Sequence, residues 1–224
     1  MRIKTKNKII ENWRFLLGLP KSIIINFRYL KFKDAIKLPI LVSHKTKLKN
    51  LRGKITVEKV KFGIIKIGLG NSQAIDYKNN RAILDNQGEI IFKGNCKITS
   101  GTKMSILGKL VFGNNSNIGG NSVIICHKKI VFGDSFLSSW ETQFMDTDQH
   151  NIYNMQNEVV NPDKEIYFGD NVWIGCRCTT MKGSYIGNNI IVGSNSTITG
   201  RHTQEYTVLA GNPLKILIKD VFRI

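Results

Sequence analysis

The chain has 224 residues, of which 42% are hydrophobic and 22% charged, and its formal net charge is +17. These proportions are ordinary for folded globular proteins of one or two domains, so they exclude a chain too polar to fold. No run of eighteen apolar residues occurs and no cleavage site follows the basic start, so the sequence predicts neither a transmembrane helix nor a signal peptide.

The positive charge is concentrated near the N-terminus. Residues 1–61 contain 17 Lys and Arg against 3 acidic residues, a net charge of +14, whereas residues 62–224 contain 16 against 13, a net charge of +3. We therefore predict a basic N-terminal region (1–61), a body (62–205) and a C-terminal segment (206–224). Basic regions of this kind bind anionic lipid, anionic glycan or nucleic acid. We expect no nucleic acid partner, and a merely solvated basic face is an open alternative.

Residues 8–35 mix apolar, aromatic and basic positions, and Pro20 predicts a division into two short amphipathic segments. Such segments suit an anionic membrane surface, where the protein would be peripheral. They suit equally a cap over the first coil of a repeat domain. Residues 37–68 predict strands that lead into irregular early coils.

A six-residue period begins before residue 100 and is clearest after residue 168. Apolar side chains return every sixth position, with one lapse at Thr180, and glycine follows in four of six cases. The positions of this series are Phe168, Ile174, Thr180, Ile186, Val192 and Ile198. A second set of small or β-branched residues lies four positions after the first five members, at Val172, Cys178, Ser184, Ile190 and Ser196. An earlier run comprises Ile106, Phe112, Ile118 and Ile124, with Phe92 and Ile98 before it, and we place two-residue insertions near 99–105 and 126–132.

A six-residue period matches neither the helix period of 3.6 nor the strand period of 2. It fits a short strand followed by a turn, with three such units closing one triangular coil of eighteen residues. Asn and Gly are frequent where the corners fall, as in GNNSN and GNN, and both residues tolerate left-handed backbone. The sequence therefore predicts an all-β solenoid in which each coil covers the next.

The stretch FMDTDQHNIYNMQNEVVNPDKEI, residues 144–166, interrupts the period. It contains no glycine, and its tyrosine, methionine and two valines make it too apolar for plain disorder. Excursions from a solenoid often form the binding face, so we predict a lid or wall at this point that extends toward a neighbouring subunit.

The segments GDNVWIGCRCTTMKGSYIGNNIIVGSNSTITG and LAGNPLKIL resemble those of the hexapeptide-repeat acyltransferases, over roughly residues 90–219. The N-terminal region resembles that of relatives acting in surface-polysaccharide synthesis. The resemblance implies a left-handed parallel β-helix, a homotrimer, acetyl-CoA as the acyl donor, and a sugar or glycan acceptor.

The resemblance also implies that His150 is the catalytic base, because the catalytic histidine of these enzymes lies shortly before the Trp-Ile-Gly motif. Acyl transfer to a hydroxyl requires removal of its proton, which a neutral imidazole does well. A carboxylate can fix the tautomer of the imidazole. Asp148 lies on the same side of an extended strand as His150, and Asp146 is an alternative if the chain turns. A surface histidine in an acidic loop is what composition alone favours.

On the donor side, the resemblance implies a pantetheine slot between adjacent subunits. It implies that Trp173 borders the reactive end and that Lys215 lies near the nucleotide phosphates. The other positions implied to contact CoA are Cys176, Ser194 and Thr199. His127 and Trp173 are candidates for the acceptor pocket. Core packing for Thr199 and a plain surface charge for Lys215 remain open.

The four cysteines form neither paired C-x-x-C motifs nor a disulfide framework, which favours a reduced cytoplasmic protein. Cys126 and His127 are adjacent, and neighbouring side chains of a strand point to opposite faces, so a Cys–His nucleophile is not expected. Some β-helices of this kind bind zinc through three histidines, but no histidine follows His150 closely, so we expect no metal.

The sequence thus predicts an acetyl-CoA-dependent O-acetyltransferase that modifies a sugar hydroxyl of a bacterial surface polysaccharide or its precursor. N-acylation of an amino sugar nucleotide and a non-catalytic β-helix scaffold are the alternatives.

Overall fold

The computed structural model describes residues 2–70, 75, 76 and 79–223, and of residues 2–14 only the backbone. The side chains of residues 2–14 carry part of the predicted basic region and lie outside the described residues. In the described part, strands wind through three sheets, which we call faces A, B and C, and each complete turn takes one strand from every face. The chain is therefore a left-handed parallel β-helix, as predicted.

Each face is a ladder of short strands contributed by successive coils. Face A contains β1 (Ile40–Val42), β4 (Ile65–Ile67), β7 (Cys96–Ile98), β10 (Ser116–Ile118), β13 (Leu137–Ser138), β16 (Trp173–Ile174), β19 (Ile190–Val192), β22 (Thr207–Ala210) and β23 (Lys215–Lys219). Face B contains β2 (Lys47–Leu51), β5 (Ile83–Asn86), β8 (Lys103–Ile106), β11 (Val123–Cys126), β14 (Gln143–Met145), β17 (Thr179–Thr180) and β20 (Thr197–Ile198). Face C contains β3 (Lys54–Val57), β6 (Glu89–Phe92), β9 (Lys109–Phe112), β12 (Lys129–Phe132), β15 (Ile166–Phe168), β18 (Tyr185–Ile186) and β21 (Arg201–His202).

The predicted inward positions are buried in the structure. All six members of the series from Phe168 to Ile198, Thr180 included, are at most 1% exposed. Four phenylalanines stack in register along face C, with ring centroids 5.2 Å apart for Phe92–Phe112, 5.3 Å for Phe112–Phe132 and 5.6 Å for Phe132–Phe168. This ladder joins four coils into one core because each ring packs on the ring above and below it.

The corners explain the irregular spacing. In the later coils Ile174 pairs with Val192, eighteen positions on, whereas Ile98 pairs with Ile118, twenty positions on. The two extra residues lie at the corner between faces B and C, at 107–108 and 127–128. The second insertion lies within the predicted stretch 126–132. The first lies just beyond the predicted stretch 99–105. Met104 and Ile106 both face the core, so either residue can be taken as the inward position of the six-residue period.

The solenoid begins earlier than the predicted boundary at residue 61. Strands β1, β2 and β3 form a first coil that pairs in parallel with β4, β5 and β6. At the other end, β22 continues face A, and β23 folds back antiparallel on β22. The excursion leaves at Asp146, directly after β14, and the chain rejoins face C at Ile166.

A helix, α1 (Arg2–Tyr29), covers the open edge of β1, and a short helix, α2 (Phe32–Ala35), follows it. The prediction that Pro20 divides this region was wrong, because α1 continues through it. Packing compensates for the hydrogen bond that proline cannot donate. The buried Asn26 side chain bonds both the N–H and the C=O of Ile40, and the Ser22 hydroxyl accepts from the N–H of Val42. These side chains satisfy backbone groups that an edge strand leaves unpaired.

Within the described residues, no helix is both long and apolar enough to cross a bilayer.

Candidate active site

Asp146 anchors the point at which the excursion leaves the β-helix. Its side chain is fully buried, and its two carboxylate oxygens accept the N–H groups of His127 (2.7 Å) and Lys128 (2.9 Å), at the same corner one coil earlier. Its backbone C=O accepts from the N–H of Lys164, on the returning strand of the excursion. Asp146 therefore ties three segments together, and the structure does not bring its carboxylate to His150.

Asp148 is also engaged elsewhere. Its Oδ2 accepts from Lys182 Nζ and, at 2.8 Å, from Asn161 Nδ2. The hydrogen bond from Lys182, followed by that from Asn161, holds the pKa of the Asp148 carboxyl below its ordinary value. The carboxylate thus remains charged throughout the neutral range, and it anchors the loop instead of contacting the imidazole.

Asn161 connects this anchor to the backbone that carries His150. Its amide nitrogen donates to the His150 C=O (2.9 Å) as well as to Asp148, and its Oδ1 accepts from the N–H of Ile152 (2.6 Å). Lys182 also donates to the Asn161 C=O at 2.6 Å. We call Lys182, Asp148 and Asn161 the loop clamp.

The imidazole of His150 is presented to solvent beside this clamp. The residue is exposed, and no hydrogen bond or ion pair of its ring occurs with any other described side chain. Both ring nitrogens are therefore accessible to a substrate, while the backbone on either side is fixed.

His127 lies at the same B–C corner, one coil before the excursion. Its Nδ1 is 3.8 Å from Asp163 Oδ2, a distance too long for a hydrogen bond. The structure therefore brings His127 and the excursion together at one edge of the triangular β-helix, and the role of His127 at the acceptor stays a prediction.

The excursion, residues 146–165, projects outward. Its outgoing and returning segments meet at an isolated Tyr153–Val159 bridge, and a turn closed by Asn154 and Glu158 forms its tip. Met155 at the tip is 94% exposed, and Ile152, Tyr153 and Val160 are exposed as well. A projecting loop with an apolar surface of this kind is typical of a segment that contacts another chain.

Four of the five predicted donor residues lie on another side of the triangular β-helix. Trp173 is on face A and donates from Nε1 to the Ser139 hydroxyl (3.3 Å). Cys176 and Ser194 stack at the A–B corner, with Cys176 Sγ 3.3 Å from Ser194 Oγ. Lys215 begins β23, the outermost strand of face A, and is exposed. These four residues share one side of the molecule.

Thr199 is the exception among the predicted donor residues. It is exposed at the B–C corner, two coils beyond the excursion, and its C=O lies 2.9 Å from His202 Nε2. Thr199 is therefore not part of the core, which was the alternative prediction for this residue. One chain thus carries two groups: His127, His150, the loop clamp and Thr199 at the B–C corner, and the other donor residues on face A and the A–B corner.

These two groups cannot meet within one chain, because the B–C corner of a triangular prism lies opposite face A. The structure therefore holds the two groups of predicted residues, the two candidate half-sites, at separate surfaces.

The buried thiols are poor nucleophiles. Burial raises the pKa of Cys126, and the nearby Asp146 carboxylate raises it further. Burial likewise raises the pKa of Cys96 and of Cys178. A thiol that stays protonated at neutral pH does not attack a thioester efficiently. Among the residues whose side chains are described, no group of three or more His, Cys, Asp and Glu residues could hold a metal ion.

Sequence reasoning missed Lys182 and Asn161. Lys182 could have been found from the spacing of the coils. Phe144 pairs with Thr180, thirty-six positions on, and the same offset from Asp146 leads to Lys182. Asn161 carries no such signal, because the excursion has no period that fixes which residue returns to its root.

The loop clamp yields a prediction. Lys182→Met keeps the aliphatic stem but removes the charge that anchors Asp148 and Asn161. We expect kcat to fall about tenfold, because small displacements of a catalytic group lower turnover steeply. The KM for the acyl donor should change little. Steady-state kinetics of the purified variant measures both.

Two controls accompany this variant. Lys182→Arg keeps the charge and should retain most of the activity, and Lys164→Met removes an exposed lysine of the same loop that makes no ion pair in the described structure. Equal activity of Lys182→Met and Lys164→Met would show that the clamp does not position His150.

Comparisons with known proteins agree with the fold. Residues 166–200 match the family model described as bacterial transferase hexapeptide (six repeats). The chain is 29% identical over 224 residues to a 24.8 kDa protein from the cps region of Klebsiella pneumoniae, covering 96% of this chain and 97% of that one. It is 28% identical over 132 residues to the polysialic acid O-acetyltransferase of Neisseria meningitidis, covering 51% of this chain and 58% of that one.

Among solved structures, the polySia-specific acetyltransferase NeuO aligns with a TM-score of 0.48 and 20% identity, over 83% of this chain and 77% of that one. Residues 166–200 thus carry a bacterial transferase hexapeptide repeat, and the chain is an acetyltransferase similar to polysaccharide O-acetyltransferases.

Proposed function

We propose that the chain transfers an acetyl group from acetyl-CoA to a sugar hydroxyl of a bacterial surface polysaccharide or its precursor, with His150 as the general base. The observation that carries this proposal is the presentation of His150. An exposed imidazole without a partner among the described side chains is held at the root of the excursion by a charged clamp.

The reaction needs no protein nucleophile. The acceptor oxygen attacks the thioester carbonyl carbon as its proton passes to the His150 imidazole, so the C–O bond forms and an oxyanion develops. The intermediate then collapses, the C–S bond breaks, and the leaving CoA sulfur takes the proton from the imidazolium. The raised pKa values of Cys126 and Cys178 support direct transfer over an acetyl-cysteine intermediate.

We propose that the active protein is a homotrimer in which the two half-sites come from different copies. The B–C corner of one chain, with His150 and His127, would face the A side of the next, with Trp173, Cys176 and Ser194. The projecting excursion and its exposed apolar tip support this arrangement. A repeated heterologous contact that closes after three copies forms such a ring.

In this arrangement the acetyl-CoA slot runs between two β-helices. Trp173 would border the thioester, and Lys215, at an exposed end of face A, suits a phosphate of the nucleotide. Thr199, at the B–C corner, would reach the slot from the opposite wall. We propose further that the protein works in the cytoplasm, at the inner face of the membrane.

The test is acetyl transfer from labelled acetyl-CoA by the purified protein, with surface-glycan fractions and defined sugars as acceptors. We expect CoA release that requires an acceptor, an alkali-labile acetyl ester on the glycan, and no acetylated protein. An alkali-stable amide formed only on amino sugar nucleotides would show N-acylation, and binding without turnover would show a scaffold.

A further inference from the structure

The side of α1 that faces away from the β-helix is apolar. Its exposed residues recur at spacings of three, four and seven, which place them on one helix face. They are Leu16, Leu17, Ile23, Ile24 and Phe27, each between 45% and 57% exposed. The buried positions Ser22, Ile25 and Asn26 lie on the other side, against β1.

Neighbouring residues extend this apolar surface. Phe32, at the start of α2, is 73% exposed and lies edge-on to Phe27, with ring centroids 5.8 Å apart. Ile36 and Phe62 are exposed too, and Phe62 packs edge-on against Phe15. We call residues Leu16, Leu17, Ile23, Ile24, Phe27, Phe32 and Ile36 the apolar face. Large exposed side chains gathered on one surface are unusual for a protein face that meets only water.

The region that carries the apolar face is rich in basic residues. Residues 15–61 contain 12 Lys and Arg against 2 acidic residues. Lys31 and Lys33 are exposed next to Phe32 in the chain and make no ion pair within the described residues. Lys21 and Arg28 have structural contacts instead, since Lys21 donates to the C=O groups of His44 and Thr46 and Arg28 donates to that of Leu51.

We infer that the apolar face docks on an anionic lipid bilayer, with α1 parallel to the membrane plane and Lys31 and Lys33 at the headgroups. Charge complementarity decides the partner. A second copy would bring an equally positive surface to the contact, whereas acidic lipids provide the opposite charge. An amphipathic helix with large apolar side chains and flanking lysines suits the bilayer interface.

Docking at this end fits the position of the active site. The apolar face lies beyond the first coil, whereas the excursion that carries His150 leaves the fifth coil. The apolar face can therefore rest on a membrane without covering the proposed reaction centre. The inference does not depend on the acetyl-transfer reaction, because binding is measured without substrate.

The experiment is co-sedimentation of the full chain with vesicles of phosphatidylcholine alone or with an equal share of phosphatidylglycerol. We expect binding to the anionic vesicles only, weakened at high salt. The variant Leu17→Gln, Ile24→Gln, Phe27→Gln should bind at least tenfold more weakly, because it removes apolar surface without lowering helix propensity much. Lys31→Gln with Lys33→Gln should also bind about tenfold more weakly.

Matched controls replace exposed residues away from the apolar face. Leu217→Gln with Ile218→Gln, and Lys164→Gln with Lys219→Gln, should bind anionic vesicles as the wild type does. Circular dichroism and thermal unfolding establish that each variant is folded, and the lysine pair tests the inference even if the apolar variant is destabilised.

Three results would overturn the inference. One is equal binding of the wild type to neutral and anionic vesicles. Another is unchanged binding of both α1-region variants. The third is a change of oligomeric state in the apolar variant, measured by light scattering, which would make the face a contact between copies.

Discussion

Replacing His150 with alanine should lower kcat by about 10²–10⁴-fold, the range typical for loss of a general base. Thermal stability and oligomeric state should stay close to those of the wild type. The side chain is exposed and makes no hydrogen bond within the described structure, so its removal leaves no buried group unsatisfied. The KM for acetyl-CoA should change little, because the base acts on the acceptor hydroxyl. Steady-state kinetics with a glycan acceptor, beside a thermal unfolding curve, measures both effects.

Asn151→Ala is the matched control, since it removes the adjacent exposed side chain of the same loop and should keep most of the activity. A His150→Ala enzyme that retains most of the wild-type kcat would remove His150 from the reaction.

Replacing Asp146 with alanine should instead cost about 3 kcal/mol of unfolding free energy, because hydrogen bonds to a charged acceptor are worth about 1.5–3 kcal/mol each. The two N–H groups of His127 and Lys128 would lose their shared acceptor at a buried corner. Asp146→Asn should be intermediate, since it keeps one carbonyl oxygen but directs an NH₂ group toward the second N–H. Denaturant unfolding of the three proteins gives the order.

Asp163→Ala serves as the control, because Asp163 is partly exposed and its carboxylate, 3.8 Å from the His127 ring, is too far away for a hydrogen bond. Its loss should change stability by less than about 0.5 kcal/mol. An Asp146→Ala protein as stable as the wild type but without turnover would show that this carboxylate acts on the imidazole.

The six-residue period predicted the coils because every inward position is constrained by the coil above and below it. A charged side chain at Phe168, Ile174 or Ile186 would be buried without a partner in a stacked core. The prediction that Asp148 contacts His150 came from a different argument, the alternation of side chains along a strand. That argument assumed an extended strand, but β14 ends at Met145 and the chain turns outward, so strand alternation no longer applies.

Other features depend on contacts that no local pattern carries. Pro20 predicts an interrupted helix, yet α1 is continuous because Asn26 and Ser22 bind it to the edge of β1. The separation of His150 from Trp173 follows from the order of the three faces, which one hexapeptide does not reveal. Lys182 becomes predictable only once the coil length across the excursion is known.

Mixed trimers test most directly whether the active site is assembled from two copies of the chain. His150→Ala removes the base, and Ser194→Trp fills the donor slot at the exposed A–B corner, so each variant alone should be nearly inactive. Co-expression with two different affinity tags, followed by tandem purification, isolates trimers that contain both. Each mixed ring has one interface with an intact base facing an intact slot, so we predict about one third of wild-type activity. Mixed trimers no more active than the two parent variants would contradict a site shared between copies.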